Sequence, residues 1–253
     1  SNRRDELDML AAIVNAMLER IERLMNEVKG VCDNIAHDLR TPLTRLRAQL
    51  YRMQQQAGEG SQEAAQLDLV LAEADTLMAR FRGLLRISEL EDRQRRSGFV
   101  ELDPVSLLEE LHEFYLPLAE EGELRFELNM PETLPPLNGD RALLFEALAN
   151  LLSNSIKFTP PGGTVILRGV NDAGHTRIEV HDSGPGIPEA EREAVFQRFY
   201  RAEAGQPQGG FGLGLSIVAA IVRLPGFNLG VGRRDVGGAK LVLDCRQSLI
   251  SQT

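Results

Sequence analysis

The apolar residues Val28, Val31, Ile35, Leu39, Leu43, Leu46, Leu50 and Met53 recur at steps of three and four. That spacing is the seam of a helix that packs in a bundle or coiled coil. A second stripe (Leu7, Leu10, Val14, Met17, Leu18, Ile21, Leu24, Met25, Val28) fills residues 1–30 and runs into the first, with Gly30 as its weak point. Asp5 and Glu6 stand in its first turn, where acids suit the helix dipole. The first seam should end near Gln56, at the turn Ala57-Gly58-Glu59-Gly60. Ser61 is then placed to cap a second helix, with Glu63 in the first turn. Leu67, Val70, Ala74, Leu77, Phe81 and Leu84 carry the period onward. Two helices joined by a short turn make an antiparallel hairpin. One hairpin has little to bury its seam against, whereas two make a four-helix bundle, so the pattern predicts a homodimer.

The charged run from Glu89 to Arg96 ends that helix, and Ser97-Gly98 begins a linker. Beyond it the pattern changes. A short strand is expected over 99–102, followed by a helix with Asp103 as cap and Pro104 at its first position. Residues 124–130 alternate like a strand, 131–139 read as a loop, and 140–158 as a helix. Strands over 164–170 and 177–180 flank the turn Asn171-Asp172-Ala173-Gly174. Residues 182–210 read as mostly irregular, 211–224 as helix, and 227–231 and 239–245 as final strands. The fold class is α+β: a helical hairpin, then a mixed sheet under helices in an α/β sandwich. Residues 1–28 read as a signalling helix, 29–97 as the hairpin domain and 98–253 as the sandwich domain.

A chain of 253 residues, 43% hydrophobic and 26% charged, has enough material for one to three small cores. Its net charge of −9 argues against nucleic acid as a main partner. Cys32 and Cys245 are far apart and show no metal spacing, so free thiols are expected. No apolar run approaches the roughly 18–20 residues needed to span a bilayer, and no signal peptide is visible. The chain starts at Ser1 rather than Met, as a fragment or processed form would.

Five stretches carry candidate chemistry. In Ala36-His37-Asp38-Leu39-Arg40-Thr41-Pro42-Leu43, His37 points roughly 200° away from Ile35 and so lies off the apolar seam. A lone histidine on a polar face is usually a solvated side chain. Here Asp38 can orient the imidazole and free the other ring nitrogen as a nucleophile. Pro42 has no N–H for the carbonyl of Asp38 and should kink the helix beside His37. On the helix at 140–158, Glu146, Asn150 and Asn154 share a face with Lys157 nearby. Amide oxygens suit a hard cation such as Mg2+, and Lys157 suits a phosphate. The alternative is an ordinary solvated helix surface.

Asp182-Ser183-Gly184-Pro185-Gly186-Ile187-Pro188 follows a strand. The carboxylate could accept from the amine of a base while the glycines admit a close ligand; the alternative is a plain turn. Gly209-Gly210-Phe211-Gly212-Leu213-Gly214-Leu215-Ser216 opens a helix, the setting of an anion cradle, but lacks the Lys-Ser/Thr ending of a P-loop. Between the glycine stretches, Phe196-Gln197-Arg198-Phe199-Tyr200-Arg201 suits a lid, or packs its base on the core.

Taken together, the chain resembles the cytoplasmic part of a bacterial sensor histidine kinase of two-component signalling. His37 to Leu43 resembles the H box, Asn150 to Thr159 the N box, and Asp182 to Pro188 the first glycine box. Phe196 to Arg201 resembles the F box and Gly210 to Leu215 the second glycine box. The order matches the family over residues 31 to 245, and residues 1–28 resemble the second helix of a HAMP relay. The resemblance implies a dimeric four-helix bundle followed by an ATP-binding domain of the GHKL (Bergerat) type. It implies ATP and Mg2+ as cofactors, His37 as phosphoacceptor, Asp38 as its activating base and Thr41 as the residue that positions water for dephosphorylating the partner. Asn154, with Asn150 beside it, would hold Mg2+. Lys157 would contact phosphate and Asp182 the adenine amino group. Phe158, Ile187, Leu213, Leu215 and glycines 184, 186, 210, 212 and 214 (Gly184, Gly186, Gly210, Gly212, Gly214) would line the pocket and lid. The implied partners are a second copy through the bundle and the receiver domain of a response regulator, with the membrane reached through segments ahead of residue 1. The implied location is the cytoplasmic side of an inner membrane.

Two departures stand out: Phe158 replaces a common tyrosine, and Arg223-Leu224-Pro225-Gly226-Phe227 stands where a His-Gly-Gly-like turn is usual. Two other functions remain open at this stage, a GHKL-type ATPase and a catalytically silent dimeric relay.

Overall fold

The computed structural model describes residues 42, 44–57, 61–91, 99–198, 200, 212–232 and 237–246. They fall into two compact units, divided between Ser88 and Glu89.

Residues 44–56 are helical (α1), and α2 spans Gln62–Glu91, all but its last three residues falling in the first unit. Ser61 caps α2: its Oγ accepts from the N–H of Ala64 at 3.1 Å. Across the hairpin Arg47 pairs with Asp75 at 2.7 Å, and Gln54 donates to Asp68. As residue numbers rise along α1 they fall along α2, so the helices are antiparallel. Leu46, Met53, Val70 and Leu77 of the expected seams are exposed.

The second unit begins with β1 (Val100–Leu102). Asp103 then caps α3 (Pro104–Glu121), its carboxylate accepting from the N–H groups of Val105 and Ser106 with Pro104 at the start. β2 covers Arg125–Asn129. β3 (Leu137–Gly139) lies inside the stretch expected to be a loop, and pairs antiparallel with β1. A three-residue strand containing Asn138 and Gly139 has no pattern of its own; its partner 37 residues earlier makes it a strand. Asp140 caps α4 (Arg141–Phe158) through the N–H of Leu143.

β4 (Thr164–Asp172) and β5 (His175–Asp182) form a longer hairpin than the sequence suggests. Asn171 and Asp172 pair with Thr176 and His175, so the turn is the two residues Ala173 and Gly174, both with positive φ. Single turns of 3-10 helix occupy Glu189–Glu191 and Ala194–Phe196. α5 is Gly214–Arg223, starting three residues later than the apolar pattern predicts, because Gly212 is in the left-handed region with φ 66°. β6 (Asn228–Val231) and β7 (Lys240–Asp244) complete the chain's strands among the described residues.

The main sheet has the order β2-β4-β5-β7-β6, with β2 and β4 parallel and the other neighbours antiparallel. Val165, Leu167, Ile178, Val180, Leu241 and Leu243 point to one face and join Leu107, Leu108 and Leu111 of α3 in one core. Leu144, Leu148, Leu151 and Leu152 of α4, with Val218, Ile221 and Val222 of α5, belong to the same core. Burying each such side chain is worth about 1.5–3 kcal/mol. The opposite face is polar: Arg177, Glu179 and His181 alternate with the inward residues of β5. The sandwich thus sets the C-terminal end of β5, the outer side of α4 and the start of α5 next to one another.

Candidate functional site

Asp182 ends β5 and is buried. Its Oδ1 accepts from the N–H of Gly184 at 2.9 Å and of Ala239 at 3.0 Å. Its Oδ2 accepts from Ser155 Oγ of α4 at 3.3 Å. The Asp182 N–H also donates to the Ala239 carbonyl at 3.0 Å, so the loop after β5 is tied to the start of β7. A carboxylate held by three donors in this way is orientationally fixed, and being acceptor-only it recognises donors.

The glycines beside it have steric work. A Cβ on Gly184 would stand 2.8 Å from the carbonyl oxygen of Phe158, so α4 and the Asp182 loop touch backbone to backbone. Ile187 packs half-buried against the core. Gly163 is equally closed: a Cβ there would meet Thr159 Cγ2 at 2.4 Å and Ser183 Oγ at 2.7 Å. Thr159 Oγ1 donates to the Ser155 carbonyl at 2.6 Å, and Ser183 Oγ accepts from the Thr164 N–H at 2.8 Å, which fixes both walls.

At the other end, Gly214 opens α5 against α4. A Cβ there would sit 3.5 Å from both Asn150 Oδ1 and Asn154 Nδ2 and 3.9 Å from Asn154 Oδ1. Asn150 donates its amide to the Glu146 carbonyl at 2.9 Å, which leaves its Oδ1 turned toward α5. The structure therefore brings Asn150, Asn154, Gly212, Leu213 and Gly214 to one place, at the N-terminus of α5, where the first-turn N–H groups have no carbonyl partner within the helix. Lys157 lies further along α4, its ammonium 5.4 Å from the ring centroid of Phe158, which is exposed. Leu213 is buried and Leu215 half-buried on the core. Phe196 also packs on the core, the lid-base alternative. His37, Asp38, Thr41 and Gly210 lie outside the described residues. Cys245 is a buried thiol that burial raises well above its ordinary pKa, with Asp244 adding to the shift.

Sequence reasoning missed two parts of this site. Ala239 acts through its backbone, 57 residues from Asp182, and no residue pattern announces that. Ser155 did carry a signal: it is a hydroxyl on the buried face of α4 among Leu148, Leu151, Leu152 and Ile156.

Comparison with known proteins places this geometry. Residues 139–248 match the family of histidine kinase-, DNA gyrase B- and HSP90-like ATPases. The chain is 32% identical over 237 residues to the signal transduction histidine-protein kinase/phosphatase MprB of Mycobacterium sp. (strain KMS), covering 92% of this chain and 46% of that protein. A solved structure of the mycobacterial sensor histidine kinase MprB is 31% identical, with 57% of this chain and 95% of that one covered and a TM-score of 0.50. The chain belongs to the sensor histidine kinases.

The structure of full-length ShkA in complex with AMPPNP is similar over 85% of this chain and 45% of that one, at 25% identity and a TM-score of 0.68. This histidine kinase chain spans about half the length of the curated relatives it matches, 46% for MprB and 48% for sensor protein IrlS of Burkholderia pseudomallei. Among its described residues no helix is long and apolar enough to cross a membrane.

Proposed function

We propose that this chain carries out ATP-dependent autophosphorylation of His37 and passes the phosphoryl group to an aspartate on the receiver domain of a response regulator. The observation that carries the reading is Asp182, a buried carboxylate whose orientation three donors fix next to the glycine walls. The residues present fit an adenine nucleotide. Asp182 accepts from the adenine amino group, while Lys157 and the first turn of α5 at Gly214 take the phosphates. Asn154, with Asn150 beside it, would hold Mg2+, and the ion would supply neutralisation of the phosphate charge.

His37 attacks the γ-phosphorus in line. A nitrogen–phosphorus bond forms, the bond to the bridging oxygen breaks, and ADP leaves. Asp38 orients the imidazole and takes up its proton. The phosphoimidazole then donates to the receiver aspartate. Little covalent help is needed from the ATP domain beyond positioning and electrostatics.

The same helix face carries a second activity. Thr41, one turn beyond His37, positions water against the phosphorylated regulator, a reading supported by relatives named kinase/phosphatase. The working unit is a homodimer through the hairpin, whose exposed Leu46, Met53, Val70 and Leu77 suit a bundle interface. Residues 1–28 act as a HAMP-like input helix, 29–97 as the phosphoacceptor hairpin and 98–253 as the ATP domain, on the cytoplasmic side of an inner membrane. Phosphotransfer profiling against receiver domains tests the kinase assignment. Thr41→Ala separates the two activities: autophosphorylation stays near the wild-type rate while regulator dephosphorylation falls at least about tenfold. Equal loss of both contradicts the assignment of Thr41.

A further inference from the structure

Ser155 is 2% exposed and stands on the apolar face of α4. A hydroxyl placed there without a partner costs roughly 1–3 kcal/mol of desolvation. Helical serines commonly send that hydrogen to the carbonyl four residues back. Ser155 Oγ instead donates to Asp182 Oδ2, at 3.3 Å. Its own carbonyl is engaged on the far side by Thr159 Oγ1 at 2.6 Å and the Thr159 N–H at 3.1 Å, so the end of α4 that carries it is fixed.

We infer that Ser155 is a positioning residue that sets the purine specificity of the nucleotide site. The inference rests on the proposed role of Asp182 toward the base. With its single hydrogen given to Asp182, Ser155 keeps only lone pairs on Oγ. Asp182 Oδ1 is filled by the N–H groups of Gly184 and Ala239. The remaining acceptor capacity therefore lies on two adjacent oxygens, Asp182 Oδ2 and Ser155 Oγ, and the one hydrogen between them is the Ser155 O–H already given to Oδ2. Such a pair suits a purine with an amino group at its six position. A six-oxo purine would bring an acceptor against acceptors, which leaves buried polar groups unpaired. Loss of the Ser155 hydroxyl removes the donor that fixes Oδ2 and frees the carboxylate to rotate about its Oδ1 anchor.

The test is titration of the full chain, in Mg2+, with ATP and with inosine triphosphate, which carries an oxo group at that position. Ser155→Ala should weaken ATP about 3- to 10-fold and leave inosine triphosphate unchanged, narrowing the preference by the same factor. In autophosphorylation the loss should fall on the KM for ATP rather than on kcat, and the thermal midpoint should stay within about 3 °C of wild type. Equal weakening of both nucleotides would mark Ser155 as merely structural, and unchanged ATP binding would also overturn the inference. Asp182→Asn separates the two levels. A variant that keeps the preference for ATP sinks the role of Asp182 itself. If that variant loses the preference while Ser155→Ala keeps it, the Ser155 inference alone fails.

Discussion

The Cβ that Gly186 lacks would stand 2.7 Å from the carbonyl oxygen of Gly238. Gly186 also has φ +80°, a conformation that costs an ordinary residue about 1–2 kcal/mol. The clash is with backbone, so no side chain can move to relieve it. Gly186→Ala should therefore lose about 2 kcal/mol or more and about 5 °C in thermal midpoint. Gly214 is the contrast. Its neighbours Asn150 and Asn154 lie at ordinary contact distance, 3.5 Å from a Cβ. Gly214→Ala should keep its midpoint within about 2 °C, so any loss of ATP binding in that variant reflects crowding of the nucleotide rather than unfolding. Calorimetric melts of both variants check this, and a midpoint fall in Gly214→Ala as large as in Gly186→Ala would contradict it.

Glu179 sits on the polar face of the sheet with a side chain 2% exposed. Lys240 Nζ is 3.0 Å from its Oε1, Arg177 Nε 3.0 Å from the same oxygen, and His181 Nε2 2.9 Å from Oε2. Burial pushes its carboxyl up, but hydrogen bonds and charge from Lys240 and His181 outweigh that and hold it below its ordinary 4.5. A carboxyl lowered in the folded state binds its proton more readily when unfolded. Its contribution is fully present above the ordinary value and is lost as pH falls through the depressed one. Denaturant midpoints should accordingly drop as pH falls below about 4.5, and Glu179→Gln should show a shallower drop than wild type across that window. Parallel curves for the two proteins would exclude Glu179 as a source of the acid sensitivity.

The exposed Leu46 and Leu77 belong to seams that one hairpin cannot bury. Sedimentation equilibrium should show a wild-type dimer, and Leu46→Glu should weaken its association at least about tenfold. A wild-type chain that stays monomeric would rule out the bundle.

The parts of this fold that were legible in the sequence are those settled by near neighbours. Ser61 and Asp103 cap helices through N–H groups two or three residues away, and both could be read directly. The apolar core strands of the sandwich alternate because one face is buried. What stayed hidden depends on distant partners. Leu137-Asn138-Gly139 becomes a strand only through β1. Asp172 and His175 extend their strands beyond the apolar run because the outer sheet face is polar, so polar residues there do not end a ladder. Phe211 and Leu213 fit the period of α5, yet the backbone turns at Gly212 before the helix can start. In the site, Asp182 and its glycines formed a visible motif. Ser155 was visible only as a small residue in an apolar stripe, since its partner lies 27 positions away.

The most direct measurement is the labelling of the full chain by radioactive ATP in Mg2+, followed by acid and alkaline treatment. The wild-type protein should take up label that acid removes and base does not, as a phosphoimidazole would, and His37→Gln should take up none. Label of the same stability in His37→Gln, or a base-labile label in the wild type, would contradict histidine phosphorylation at this position.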